Sequence, residues 1–203
     1  SAFQRSISAI VPACLVIGLF ALLGVLLTRV LGGADYSVAF SGWFEGLFLR
    51  MGRGLGSGLL FILLMHLMWF FGIHGSNVLD GVAHEVFRAG MDVNLARLAA
   101  GQAPTEIATK TFFDTFVLFG GCGTLLCLVV AIFLCDRRKN VRGLSKMALV
   151  PVLFNINELI MFGVPIVLNP IYLVPFLCTP LVLTVISYLA TLAGLVPVAI
   201  HTV

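Results

Sequence analysis

Long apolar blocks dominate this chain, and the polar residues that break them carry most of the information. Residues 9–28 form an apolar run of about 20 residues, the length that crosses a bilayer as a helix. Pro12 falls in the first turn of that run, where a missing N–H is harmless. Arg5 and Arg29 flank it. Residues 32–53 are mixed. Gly32-Gly33 marks a turn, and Trp43, Phe44, Leu47 and Phe48 share one helical face, the pattern of a short interfacial helix. Residues 55–71 are apolar and just long enough to cross. Residues 78–97 set Asp80, His84, Glu85, Arg88, Asp92 and Arg97 among apolar positions at helical spacing. That predicts an amphipathic segment too charged to span. Residues 98–104 read as a loop, and residues 106–114 as the polar edge of a new helix.

The second half repeats the theme. Residues 115–135 form a spanning run with Gly120-Gly121-Cys122-Gly123 inside it, which predicts a kink or a close helix contact. Residues 136–146 hold five of the twelve lysines and arginines, and that bias assigns them to the cytoplasm. Residues 147–168 are long enough to span but contain Pro151, Asn155, Asn157, Glu158, Gly163 and Pro165. Such a mixture predicts a re-entrant hairpin or a discontinuous helix, with Glu158 near a turn. Residues 171–196, with Pro175 and Pro180, predict a kinked span. Two broken apolar segments, one per half, match the paired discontinuous helices that transporters arrange around a midplane site.

Composition fixes the class. Of 203 residues, 60% are hydrophobic and 10% charged, whereas a soluble domain carries about 25% charged residues. The expected fold is an all-α integral membrane protein, a polytopic helical bundle with broken helices and re-entrant hairpins. The net charge of +3 is small and clustered, so it reports orientation and not nucleic-acid binding. Cys14, Cys122, Cys127, Cys135 and Cys178 lie in or beside apolar runs, at spacings that match neither a zinc site nor a disulfide framework. The N-terminal run is too long for a signal peptide. The start at Ser1 and the end at His201-Thr202-Val203 suggest a processed or excised chain.

Two residues are expensive at membrane depth: His74, between Gly72 and Gly75, and Glu158. Together they mark a polar cavity. A carboxylate beside asparagines supplies the acceptors and donors that sugar hydroxyls need. The competing role is structural, with Glu158 capping a hairpin and His74 bonded to a carbonyl. Asn77, Asn155, Asn157 and Asn169 are either ligand amides or partners for the open backbone of broken helices. Asp114, beside Lys110, reads as a helix-end charge. Asp80, His84 and Glu85 read as a polar helix face before a metal cluster, and His66 as a packed residue. No phosphate loop, Ser-His-Asp set or dinucleotide fingerprint occurs. No metal and no cofactor is expected.

Three stretches in order resemble one family. They are Trp69-Phe-Phe-Gly-Ile-His-Gly-Ser-Asn77, Thr109-Lys-Thr-Phe-Phe-Asp-Thr-Phe116 with Gly120-Gly-Cys-Gly123, and Phe154-Asn-Ile-Asn-Glu158 continuing to Gly163-Val-Pro-Ile-Val-Leu-Asn-Pro170. They are similar to the membrane-spanning IIC component of bacterial sugar phosphotransferase systems, in the lactose, cellobiose and diacetylchitobiose branch. The first fifty residues match in hydropathy alone. The resemblance implies a homodimeric, multi-pass transporter of the bacterial inner membrane, about twice as long as this chain. It divides the chain into residues 1–54, the end of a scaffold region, and residues 55–203, most of a sugar-binding transport domain. It implies that Glu158 and His74 are catalytic and hold the sugar hydroxyl that receives phosphate. Asn77, Asn155 and Asn157 join them as candidate substrate contacts. The substrate is a disaccharide, and the phosphoryl donor is a phosphocysteine on a separate IIB protein or domain. Catalysis would therefore be shared with that partner.

Two positions depart from the family pattern. Leu159 stands where a proline usually follows the glutamate, which frees a backbone N–H and loosens the turn. Cys122 stands where a serine is usual. A similar Asn-Glu-Leu variant occurs in IIC-like domains joined to cyclic-di-GMP phosphodiesterase (EAL) domains, so the alternative reading is a sugar-sensing membrane domain.

Overall fold

The computed structural model describes residues 2–30, 32–33 and 36–200. The end at His201-Thr202-Val203 lies outside the described residues. All regular structure among them is helical, with no strand, as the composition predicted. The chain forms two compact units, Ser1–Trp43 and Phe44–Val203.

The first unit is mainly α1 (Ala2–Val30). Its stretch Ile10–Val30 is long and apolar enough to cross a membrane. At 1.5 Å per residue it spans about 31 Å, close to the thickness of a hydrocarbon core. Leu15, Phe20 and Val25 on different sides of it are all exposed, as suits a helix that needs lipid or protein around it. One expectation fails here. The helix begins at Ala2, so Pro12 lies in its interior and not in its first turn. Its missing N–H leaves the Ser8 carbonyl without the usual helical donor. The second helix, α2 (Tyr36–Met51), ends in the second unit.

The second unit is built on α3 (Leu55–Phe70) packed against α11 (Pro170–Leu192). The latter is the other helix with the length and composition of a span. Pro175 and Pro180 lie inside it, as read from the sequence. Thr184 Oγ1 donates to the Pro180 carbonyl at 2.7 Å. Between α3 and α11 the chain is a series of short helices. After α4 (Gly75–Val78), α5 (Asp80–Val82) runs into a widened π turn over Ala83–Arg88 and then α6 (Ala89–Ala99). The following strap is held by Asn94, whose Oδ1 accepts from the backbone N–H groups of Thr105 and Glu106.

Residues 115–135 do not form one kinked span. They end α7 (Lys110–Phe116), turn tightly, and begin α8 (Leu125–Cys135). Gly120, Gly121 and Gly123 all have positive φ, so the helix breaks here and does not merely bend. The basic stretch is the start of a helix, α9 (Lys139–Leu153), followed after a turn by α10 (Glu158–Gly163). The predicted discontinuity therefore lies just before Glu158. The core is aromatic: Phe48, Phe61, Phe87 and Phe113 are fully buried, with ring centroids 4.9–6.3 Å apart. Each such pair adds roughly 0.5–1.5 kcal/mol beyond area burial. In lipid, where apolar surface gains little by leaving its surroundings, that packing carries much of the cohesion.

Candidate functional site

Three interruptions of helix converge on one place. The first closes α3. Gly72, at φ +81°, is the left-handed residue of a Schellman end. Its N–H reaches the Trp69 carbonyl at 3.0 Å, and the Ile73 N–H reaches that of Met68 at 2.9 Å. His74 then caps α4, its Nδ1 accepting from the Asn77 N–H at 3.3 Å. Gly75 lies against the Met65 backbone, and any side chain there would collide with the Met65 carbonyl. The imidazole rests on the buried Trp69 indole, with centroids 4.3 Å apart. The indole Nε1–H donates to Ser76 Oγ at 3.4 Å.

The second interruption ends α9 in the same way, with asparagine in place of glycine. Asn155 is at φ +60°. Its N–H reaches the Val152 carbonyl at 3.0 Å and the Ile156 N–H reaches that of Pro151 at 2.9 Å. Asparagine tolerates this conformation better than other non-glycine residues do. Glu158 is the first residue of α10. The third is the glycine turn. The Gly121 N–H donates to Asn155 Oδ1 at 3.0 Å, and the Cys122 N–H to Asn157 Oδ1 at 3.2 Å. Asn157 Nδ2 also donates to the buried Cys122 Sγ at 3.6 Å, so the thiol serves as an acceptor. A side chain on Gly121 would collide with Asn157 Oδ1. A last backbone bond, Leu168 N–H to the Phe70 carbonyl at 3.0 Å, ties the glutamate region to the end of α3.

This assembly brings His74 Nε2 within 3.7 Å of Glu158 Oε1. Because Nδ1 accepts a backbone N–H, the ring proton of the neutral imidazole sits on Nε2, facing the carboxylate. The separation is long for a direct hydrogen bond, and an oxygen at hydrogen-bond distance from both atoms would sit to one side of the line joining them. The side chains are 40% and 51% exposed, so the pair opens onto a surface of this chain. A cavity of about 220 Å³ is lined by their chain neighbours Ser76, Asn77 and Asn157, and not by the pair itself. Asn77, Asn155 and Asn157 line it, together with Asp80, Lys110 and Asp114.

The sequence-derived candidates thus separate into groups. His74 and Glu158 face each other, with Asn77 beside them on the cavity wall. The Asn155 and Asn157 oxygens are engaged by backbone. Asn169 caps α11, accepting from the Ile171 N–H at 3.1 Å. His66 is fully buried, its Nδ1–H donating to the Ile62 carbonyl at 2.7 Å. His84 accepts from Arg88 at 2.9 Å. Among the described residues no three metal-ligating side chains form a cluster. Sequence reasoning passed over Trp69 and Ser76 as site residues, although both lie in the histidine stretch. Lys110 and Asp114, read as helix-end charges, do lie in the first and last turns of α7 and pair with each other, and both also line the cavity.

Outside the cluster, Asp136 is held by Arg138, whose Nη2 donates to Oδ2 at 2.6 Å. That guanidinium bond lowers the Asp136 carboxyl to about 2.

Comparison with known proteins follows the same residues. The family model for the phosphotransferase system, EIIC, matches residues 1–180. The lichenan permease IIC component of Bacillus subtilis (strain 168) is 42% identical over 146 residues, which is 72% of this chain and 32% of that protein. The oligo-beta-mannoside-specific EIIC component of the same organism is 32% identical over 197 residues, 97% of this chain and 44% of that protein. The crystal structure of the transporter ChbC, the IIC component from the N,N'-diacetylchitobiose-specific phosphotransferase system, matches with a TM-score of 0.72 and 33% identity. It is matched over 100% of this chain and 47% of its own. The chain therefore spans between a third and a half of the length of these relatives.

Proposed function

The chain belongs to the phosphotransferase system EIIC family, and from that premise we propose that it forms the sugar-handling part of a multi-pass IIC permease. The permease sits in a bacterial inner membrane and is homodimeric when intact. Its substrate is a disaccharide of the cellobiose, lactose or chitobiose type. Residues 55–203 belong to the transport domain and residues 1–54 to the end of the scaffold. The observation that carries this reading is the approach of His74 Nε2 to Glu158 Oε1, 3.7 Å, with the Nε2 proton on the side of the carboxylate.

A sugar hydroxyl seated against both atoms, beside the line joining them, accepts from His74 Nε2–H and donates to Glu158 Oε1. The histidine fixes the oxygen, and the carboxylate takes its proton as a phosphocysteine of the IIB partner delivers phosphate. Phosphoryl transfer depends mainly on such positioning and charge stabilisation. Trp69 holds the imidazole plane, and the asparagine–glycine bonds hold the turn from which Glu158 projects. The relatives are named as permease or transport components, and nothing in them supports a sensor joined to a phosphodiesterase.

The test is sugar phosphate formation by the intact membrane protein with phosphorylated IIB and cellobiose. Glu158→Gln should reduce turnover by about 10²–10⁴-fold, the usual worth of a general base. His74→Ala should weaken sugar binding as well as turnover. Undiminished turnover in Glu158→Gln would remove the proton-accepting role.

A further inference from the structure

Residues 137–146 carry Arg137, Arg138, Lys139, Arg142 and Lys146, all exposed, beside one carboxylate, Asp136. Arg138 takes that carboxylate, and among the described residues no acid forms an ion pair with the other four. Lys139, Arg142 and Lys146 follow at steps of three and four, so they stand on one side of α9 and repel one another. Lys139 and Arg142 also lie in the first turn, at the positive end of the helix dipole, where no acid offsets them. The fold thus holds a concentration of positive charge that costs it stability and that its own side chains leave unneutralised.

The same side of α9 continues with Val150 and Leu153, and Met147 lies beside them; all three are exposed. Ser145, Ala148 and Val152 mark the buried side. The change from cation to hydrocarbon falls between Lys146 and Met147. Lys139 to Lys146 covers about 10 Å of helix axis, and Met147 to Leu153 about 9 Å more. A bilayer leaflet presents its layers in that order, phosphates first and acyl chains below, and the long stems of Lys and Arg reach back to the phosphates. An acidic protein surface would meet the cations but leave Met147, Val150 and Leu153 in water. Tyr172 marks the same level. It is partly buried near the start of α11, within electrostatic reach of Arg138, and tyrosine favours the boundary between headgroups and hydrocarbon.

We propose that Arg137, Lys139, Arg142 and Lys146 bind the phosphate groups of anionic phospholipid, with Met147, Val150 and Leu153 in the acyl layer beneath. Arg138, held by Asp136, shapes the turn instead. Bound phosphate neutralises the repulsion at the start of α9. Anionic lipid therefore stabilises the helix whose far end makes the Asn155 turn before Glu158. The inference requires a membrane and is independent of the sugar.

The experiment follows melting of the intact membrane protein in neutral detergent as phosphatidylglycerol, phosphatidylcholine of the same chains, or inorganic phosphate is added. Phosphatidylglycerol should raise the melting temperature, phosphatidylcholine should not, and added salt should weaken the rise. Lys139→Gln and Arg142→Gln should each raise the half-effective phosphatidylglycerol concentration by about fivefold, the worth of one cation near an anionic surface. Combining them with Arg137→Gln and Lys146→Gln should abolish the response, while melting without lipid stays level or rises because the repulsion is gone. If the combined variant unfolds, the two single variants still decide. Equal responses to the two lipids, an unchanged half-effective concentration in both single variants, or a rise with inorganic phosphate as large as with phosphatidylglycerol would each overturn the site. Sugar phosphate formation at increasing phosphorylated IIB tests the competing partner. A combined variant that needs far more IIB yet keeps its lipid response would assign the cations to an acidic protein surface and overturn the proposal.

Discussion

Asn155 offers the sharpest test of how Glu158 is held. Two things depend on its side chain. It occupies the left-handed position that ends α9, at φ +60°. Its Oδ1 receives the Gly121 N–H at 3.0 Å. Three substitutions separate these. Asn155→Gly keeps the backbone conformation and removes the acceptor, leaving a buried N–H unpaired at a cost of about 1–3 kcal/mol. Asn155→Ala removes the acceptor and adds about 1–2 kcal/mol for a β-carbon in left-handed geometry. Asn155→Asp keeps both. At 1.4 kcal/mol per tenfold, the glycine variant lowers the ratio of seated to unseated turn by roughly 5- to 150-fold, and the alanine variant by more. Apparent affinity cannot fall further than the seated fraction does, which sets a ceiling on the effect. The assay is cellobiose binding by calorimetry alongside thermal melting, at high salt to screen the added charge of the aspartate. The expected order of stability is wild type, aspartate, glycine, alanine. If Asn155→Asp binds sugar as poorly as Asn155→Gly while melting normally, the amide touches ligand, and the bonding of turn to turn is not its purpose.

Other consequences follow from the same contacts. Gly121→Ala places a side chain against Asn157 Oδ1 at φ +94°; strain of about 1–3 kcal/mol should appear as a lower melting temperature. Trp69→Ala empties a buried site beside His74 and should cost about 3–5 kcal/mol, seen in denaturant unfolding, with sugar affinity reduced in the folded fraction. At the basic turn, the lowered Asp136 carboxyl makes the Arg138 contact fully present above the ordinary carboxylate range, and lost as pH falls through about 2. Arg138→Ala should return the Asp136 titration to its ordinary range in carboxyl NMR.

The helical, membrane-suited class was legible from composition, and the broken segments from misplaced polar residues. His74 and Glu158 stood out because charge-bearing groups are costly among apolar neighbours. Their partners did not. Asn155 and Asn157 bond to Gly121 and Cys122, more than thirty residues away, and no local pattern announces a pairing at that range. Four glycine-region residues in sequence predict a bend. Only the positive φ values at Gly120, Gly121 and Gly123 reveal a full break. Pro12 was misread because residues before the apolar run extend the helix, and hydropathy does not see a polar first turn. Lys110 and Asp114 read as helix-end charges, and sequence alone cannot tell that this end of a short helix also lines a cavity.

Trp69 has one more consequence. The chain contains two tryptophans, Trp43 and Trp69, and the second lies tilted against the imidazole of His74, centroids 4.3 Å apart. Indole emission is quenched by a neighbouring imidazolium and shifts with local polarity. Within this chain, after Trp43→Phe, the remaining indole emission would come from beside His74, giving ligand arrival an optical signal with no label attached.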